Sequence, residues 1–574
     1  AAVNRLAPSI TVDYDVPMRL HDGTHLATDI YRPAQRGRYP TILIRTPYGK
    51  LAMPLMMALD SIDTLGIVRA GYVVAIQDVR GTFASGGDLR HFHYEAEDGA
   101  AAITWAAAQD WSNGVVGMTG SSYYAATQLL SATRTPPALK AIVPAITGSE
   151  YYDGWTYQGG AFQLGFTLRW AAEMAYVDML NREARGEAVS AGREPLESVV
   201  HDLWEAFWRL PLVELPNSSC WLRNYGEWLA HPDRDDFWRS TAITERYDRI
   251  DVPALHIAGW NDIFLKGSLE NFVGLRDGAA SEHARQGQRL IVTPWAHDPP
   301  QEFVGEVLLG PAGHPLNVNL ALTQLEFFDH HLKGEPADEA APVRIFVMGA
   351  NEWRDETEWP LTRAVPTRLY LRANGALSRQ APADEEPDEF SYDPRDPVPT
   401  VGGNTYLPGS GFFTGPRDRR GIEQRSDVLV YTSHPLQDDL QVIGPVKATL
   451  SVATSAPDTD FTVALVDVHP DGRAMGVVDG ILRLRYRQGL DRQVLAEPGR
   501  PYEIEVDLVA TANVFKTGHR IRVEVSSSNF PRFDRNPNNG GVVADATVSD
   551  LATARQHVFH DRHRASFITL PTVT

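Results

Sequence analysis

Between Val115 and Ala132 a short apolar run passes through a Gly-x-Ser turn, Gly120-Ser121-Ser122, into a stretch of small residues that reads as a helix. This junction constrains the fold more than any other segment. A serine pinched between a strand end and a helix start is pushed out of the sheet with its hydroxyl exposed, and the first amides of the helix point to where an oxyanion would form. Such a nucleophile elbow requires a parallel sheet with helices behind it. The glycine two residues earlier marks Ser122 as the nucleophile, with Ser121 as the alternative.

The flanking text agrees with a sheet of this kind. Two alternating stretches between Val16 and Pro33 surround Asp22-Gly23, a dipeptide suited to a two-residue hairpin turn. Thr41–Ile44, Tyr72–Ile76 and Leu139–Pro144 are continuous apolar runs, as expected of strands buried on both faces. Glu95 to Trp111 reads as a helix. Strands alternating with helices predict a mostly parallel α/β unit.

From about Glu150 to Glu245 the pattern becomes helical without a strand run, and seven of the chain's thirteen tryptophans lie between Trp155 and Trp238. An insertion of this kind caps the C-terminal edge of an open α/β sheet, where ligands bind. Most of its tryptophans are expected to fill its own small core. The sheet pattern resumes at Ala254–Ala258, followed by Gly259-Trp260-Asn261-Asp262, and again at Arg289–Val292, followed by Thr293-Pro294-Trp295-Ala296-His297. Asp262 and His297 therefore each sit just past a strand end. The chain order Ser122, Asp262, His297 is that of an α/β-hydrolase triad. His330 and His331 fall on the helical stretch Leu316–Leu332 and read as structural.

Beyond about Trp359 the text is β throughout. Leu482–Arg487, Tyr502–Leu508 and Ile521–Val525 alternate strictly, each as a strand with one wet face. Repeated strands separated by turns such as Pro470-Asp471-Gly472 predict a sandwich, most simply a jelly roll. The Pro- and acid-rich stretch Pro382–Pro399 reads as a long loop. With 574 residues the chain exceeds one core. A net charge of -20 and the lack of a dense basic stretch argue against nucleic acid and anionic membrane surfaces as partners. No run of 18 apolar residues occurs and the first residues lack a leader pattern, so a cytoplasmic location is expected. Cys220 is the single cysteine, which excludes an internal disulfide and a cysteine-based metal cluster.

The motifs Thr46-Pro47-Tyr48, Gln77-Asp78-Val79-Arg80-Gly81, the elbow with tyrosine after the serine, Gly259-Trp260-Asn261-Asp262-Ile263-Phe264 and Pro294-Trp295-Ala296-His297 together resemble the bacterial cocaine esterase family. That family is related to the X-Pro dipeptidyl peptidases and α-amino acid ester hydrolases. Asp458-Thr459-Asp460-Phe461-Thr462, Ser526-Ser527-Ser528-Asn529-Phe530-Pro531 and Asp534-Arg535-Asn536 extend the resemblance over essentially the whole chain. It implies an α/β-hydrolase domain in two parts (1–148 and 245–360), an inserted helical cap (149–244) and a C-terminal jelly roll (361–574). It also implies an oxyanion hole made by the Tyr48 hydroxyl and the Tyr123 backbone N–H. The acyl pocket is then walled by Trp155, Trp170 and Phe264, with Tyr406 or Leu407 contributed by the jelly roll.

The expected activity is hydrolysis of a small-molecule carboxylic ester with an aromatic acyl group, by a monomer or homodimer and without metal or cofactor. The alternative is an amide- or amino-acid-directed relative. Phe264 and Leu265 stand where the amino acid ester hydrolases carry carboxylates for the substrate ammonium, although Glu150 and Asp153 offer charge nearby. A silent binding protein on the same fold is the third reading, and a complete triad argues against it.

Overall fold

The computed structural model describes residues 9–60, 62–336, 340–407 and 414–574. The N-terminal stretch read for a leader lies outside them.

A ten-stranded sheet forms the first unit. Its strands are β1 (Ile10–Arg19), β2 (His25–Pro33), β3 (Tyr39–Thr46), β4 (Val73–Asp78), β5 (Ser112–Ser121), β6 (Leu139–Ala145), β7 (Leu255–Gly259), β8 (Arg289–Thr293), β9 (Val343–Val347) and β10 (Glu352–Glu356). They lie side by side in the order β1-β2-β4-β3-β5-β6-β7-β8-β9-β10. The run from β4 to β9 is parallel, while β1, β2 and β10 close the edges antiparallel. This is the expected α/β-hydrolase sheet. The central strands are buried along their whole length because helices cover both faces. On one face pack the helices Glu95–Ala107 and Ser122–Ala132, and on the other the helix Leu320–Lys333, whose Phe328 and Leu332 meet Ile42, Ile44 and Val143.

The opening hairpin has a longer turn than the two residues expected. The last strand pair is Arg19 with His25, and residues 20–24 make the connection. Asp22 explains the difference, since its carboxylate accepts from the Thr24 amide and pairs with Arg80 at 2.6 Å, which rounds the turn.

Helices dominate the residues between β6 and β7, led by Leu164–Ala184. The expectation that no strand interrupts them is corrected by a small hairpin, Tyr157–Gln158 with Ala161–Phe162, turning at Gly159-Gly160. A Cβ on Gly159 would lie 2.0 Å from the Ile481 carbonyl of the C-terminal unit, so this turn must stay bare to let the two units meet.

The C-terminal unit is an eleven-stranded, mostly antiparallel β structure whose core gathers Leu369, Tyr431, Leu450, Phe461, Val506 and Val523. Two expectations change here. Pro382–Pro399 contains a strand, Asp388–Tyr392, because Phe390 and Tyr392 alternate inward while the backbone pairs with Ala554–Phe559. Leu482–Arg487 is not one wet-faced strand, since the strand Ala474–Arg483 ends and Leu484–Tyr486 makes a tight turn of 3-10 helix. Its arginines are the reason. Arg483 is buried against Asp460 and Asp534 at 2.9 and 2.6 Å, and Arg485 against Asp458 at 2.7 Å. Buried guanidinium groups need such partners, so the backbone bends to reach them.

This unit meets the sheet across a buried apolar layer, in which Ile443, Ala512 and Val514 pack with Val343 and Phe346, and across polar contacts. The Met348 amide donates to the Ala512 carbonyl and the Val514 amide to the Met348 carbonyl, at 2.9 and 2.8 Å. Lys266 bridges Asp153 at 2.6 Å and Asp507 at 3.0 Å. No helix among the described residues is long and apolar enough to cross a membrane.

Candidate active site

Strand β5 ends at Ser121 and a helix begins at Ser122 with φ of +55°, in the left-handed region that a serine rarely adopts. Gly120 makes the turn possible, because a Cβ there would sit 2.0 Å from the Tyr124 ring and its φ is +139°. The strain lifts the Ser122 hydroxyl off the sheet. Ser121, by contrast, is buried and its hydroxyl donates to the Tyr124 hydroxyl at 2.6 Å. That contact occupies the alternative serine in packing.

Strands β7 and β8 deliver the other two groups to the same place. His297 Nε2 lies 3.0 Å from Ser122 Oγ, and His297 Nδ1 lies 2.6 Å from Asp262 Oδ2. The other oxygen of Asp262 accepts from the Phe264 amide at 2.6 Å, which fixes the carboxylate plane. Asp262 is fully buried and His297 nearly so. A chain of three groups with these spacings can move a proton from the hydroxyl to the imidazole while the carboxylate holds the ring.

Tyr48 follows β3 in the loop beside the elbow, and its hydroxyl faces the Ser122 and Trp170 side chains. Burial of that hydroxyl raises its pKa, so it stays a neutral donor. The Tyr123 N–H lies in the first helical turn, where amides have no intrahelical acceptor. Both groups expected at an oxyanion hole are thus beside Ser122.

An aromatic wall surrounds the serine and histidine. Phe264 stacks on Trp155 with ring centroids 3.8 Å apart and planes 4° from parallel, and meets His297 edge-on at 5.0 Å. Trp170 lies 5.8 Å from Trp155. From the C-terminal unit, Tyr406 approaches His297 at 4.6 Å and Leu407 is buried among the same rings. All five residues expected at the acyl pocket are therefore close together.

Several neighbours escaped the sequence reading. Phe166 stacks on Trp170 at 5.8 Å and meets Phe264 edge-on at 5.3 Å. Its spacing of four from Trp170 on one helix face was the available signal. Tyr123 donates its hydroxyl to Glu95 at 2.9 Å, and Glu95 pairs with fully buried Arg45 at 2.6 Å. An arginine ending the apolar run Ile42-Leu43-Ile44 hinted at such a pair. His91 stands edge-on to Trp170 at 4.7 Å, and burial drives its pKa down to about 3, so it is a neutral packing ring. Asn404 of the C-terminal unit donates to the Trp260 and Asp262 carbonyls at 2.9 and 3.1 Å, and nothing in the sequence marked it.

Glu150 and Asp153 do not stand open to a substrate ammonium. Arg234 holds Glu150 at 2.6 Å, and Lys266 holds Asp153.

Comparison with known proteins adds to this geometry. Residues 22–299 match the X-Pro dipeptidyl-peptidase (S15 family) model, and residues 336–569 match that of the X-Pro dipeptidyl-peptidase C-terminal non-catalytic domain. The sequence is 39% identical to cocaine esterase from a Rhodococcus species, over 98% of this chain and 99% of that protein. Among solved structures, an aminopeptidase from a Thaumarchaeota archaeon has a TM-score of 0.84 at 26% identity, covering 100% of this chain and 98% of its own. An α-amino acid ester hydrolase has a TM-score of 0.83 at 26% identity with the same coverage.

Proposed function

This chain belongs to the family of cocaine esterase and the X-Pro dipeptidyl peptidases, which makes it a serine ester hydrolase, and from that premise we propose a preference for esters with an aromatic acyl group. The observation that carries this reading is the Trp155–Phe264 stack, turned edge-on to His297 beside Ser122. A flat benzoyl-like group entering there gains both contact area and ring packing.

In the proposed reaction neutral His297 accepts the Ser122 proton as Oγ attacks the ester carbonyl. The carbonyl oxygen, becoming an oxyanion, is held by the Tyr48 hydroxyl and the Tyr123 N–H. Asp262 stabilises the imidazolium, which then protonates the departing alkoxide. Water repeats the sequence on the acyl-enzyme, with His297 as base and Ser122 as leaving group. The pairing of Glu150 with Arg234 and of Asp153 with Lys266 speaks against an amino-acid substrate, whose ammonium would need an acid without its own cation.

A series of nitrophenyl esters from acetyl to benzoyl tests the preference by kcat/KM, with an amino acid anilide in parallel. Benzoyl is expected to lead, with negligible anilide cleavage. Trp155→Ala and Trp170→Ala should each lower the benzoyl-to-acetyl ratio, because only the larger acyl group loses wall contact. The ratio is measured on one preparation, so partial unfolding of a variant cancels. An equal loss on both esters would place these rings in the core rather than the pocket.

Tyr48→Phe isolates the side-chain oxyanion donor, since it deletes the hydroxyl and leaves the ring. A fall in kcat of roughly 10² to 10³, with KM little changed, is expected when acylation limits the rate. A change below about threefold would assign the oxyanion to backbone groups alone.

A further inference from the structure

The C-terminal unit carries a cluster that hydrolysis does not use. Asp467 and His469 stand two apart where the strand Asp460–Val468 ends, a spacing that puts both side chains on one face. The neighbouring strand runs antiparallel with Val468 opposite Arg520 and Asp467 opposite Ile521, which brings His519 beside them. His519 Nδ1 lies 2.8 Å from one oxygen of Asp467, and His469 Nε2 lies 3.8 Å from the other. The imidazole centroids are 4.4 Å apart. One ligand atom from each residue falls within 4.8 Å of the other two.

We propose that Asp467, His469 and His519 bind a zinc-class divalent cation, which ties the turn at residues 469–473 to the start of the strand Arg520–Ser526. A tetrahedral zinc with bonds of about 2.1 Å spaces its ligand atoms roughly 3.4 Å apart. The two carboxylate–imidazole separations, 2.8 and 3.8 Å and each to its own oxygen of Asp467, lie close to that value. Two imidazoles and one carboxylate suit zinc, copper or nickel, whereas calcium and magnesium prefer all-oxygen cages.

The surrounding charge fits the same occupant. The Asp467 carboxylate is largely buried, and a cation between it and the rings would balance its charge there. Arg473 pairs with Asp471 at 2.8 Å and also lies 3.5 Å from His469 Nδ1, the ring nitrogen away from Asp467, a contact that ligation through Nε2 would give up.

The experiment uses the full chain with exposed Cys220 replaced, Cys220→Ser, to remove the competing thiol. The protein is freed of any affinity tag, stripped with a chelator and titrated calorimetrically with zinc chloride near neutral pH, with calcium chloride as a second arm. One equivalent of zinc is expected to bind with micromolar or tighter affinity and to raise the melting temperature as its concentration rises. His469→Ala and His519→Ala should each weaken binding by about tenfold or more. Asp467→Asn, which keeps the shape, should do the same. Unchanged nitrophenyl acetate hydrolysis shows that each variant is folded. Absence of zinc binding in the parent, undiminished binding in the histidine variants, or calcium binding as tight as zinc would each overturn the proposal.

Discussion

Replacing Ser122 by alanine is expected to lower kcat on a nitrophenyl ester by roughly 10⁶, the scale set when the nucleophile of subtilisin is removed. The hydroxyl is small and points away from the core, so the melting temperature should stay where it was. The left-handed backbone at this position costs alanine about as much as serine, and Gly120 is untouched. His297→Ala should be equally severe, and the double variant no worse than either single one, because the two groups act as a unit. A residual rate above that in water is expected from the oxyanion donors and from binding. Ser121→Ala should be mild, since that hydroxyl serves Tyr124. Stopped-flow measurement of the nitrophenol burst gives the comparison. A Ser122→Ala enzyme within about tenfold of the parent would remove Ser122 from the mechanism.

Asp262→Asn is expected to cost about 10⁴ in kcat, and the geometry gives the reason. One oxygen of Asp262 accepts from the Phe264 amide and the other faces His297 Nδ1. Asparagine has only one acceptor. The Phe264 amide is a fixed backbone donor and claims that oxygen, which leaves the NH₂ group facing His297. The ring must then accept at Nδ1 and carry its proton on Nε2, where it cannot take the proton of Ser122. The substitution preserves shape, so circular dichroism and melting should change little while turnover collapses. Retention of full activity would mean that a different carboxylate orients the ring, and neighbouring Asp298 is the group to replace next.

The parts of the chain that could be read directly were those whose physical cause is local. Continuous apolar runs mark strands with helices on both faces, and the Gly120–Ser122 turn needs no distant partner to be recognised. Side chains whose meaning depends on remote residues were opaque. Arg483 and Arg485 alternate with leucines as they would on a wet strand, but their carboxylates lie 23 to 51 positions away. Glu150 and Asp153 look available until Arg234 and Lys266 are seen beside them. The same holds for Glu95, whose value lies in joining Arg45 to the ring of Tyr123. Phe390 and Tyr392 were hidden differently, inside a stretch whose prolines and acids outweighed two inward-facing rings.

Asn404, Tyr406 and Leu407 reach the reacting groups from the opposite unit, across a seam in which Ile443, Ala512 and Val514 pack with Val343, Phe346 and Met348 in one buried apolar layer. A large apolar joint ties the two units into one body, so activity and the packing of the sheet should be lost together on heating. The enzyme's durability should then be engineered at this joint, by tighter packing of the apolar layer around Met348 and Val514.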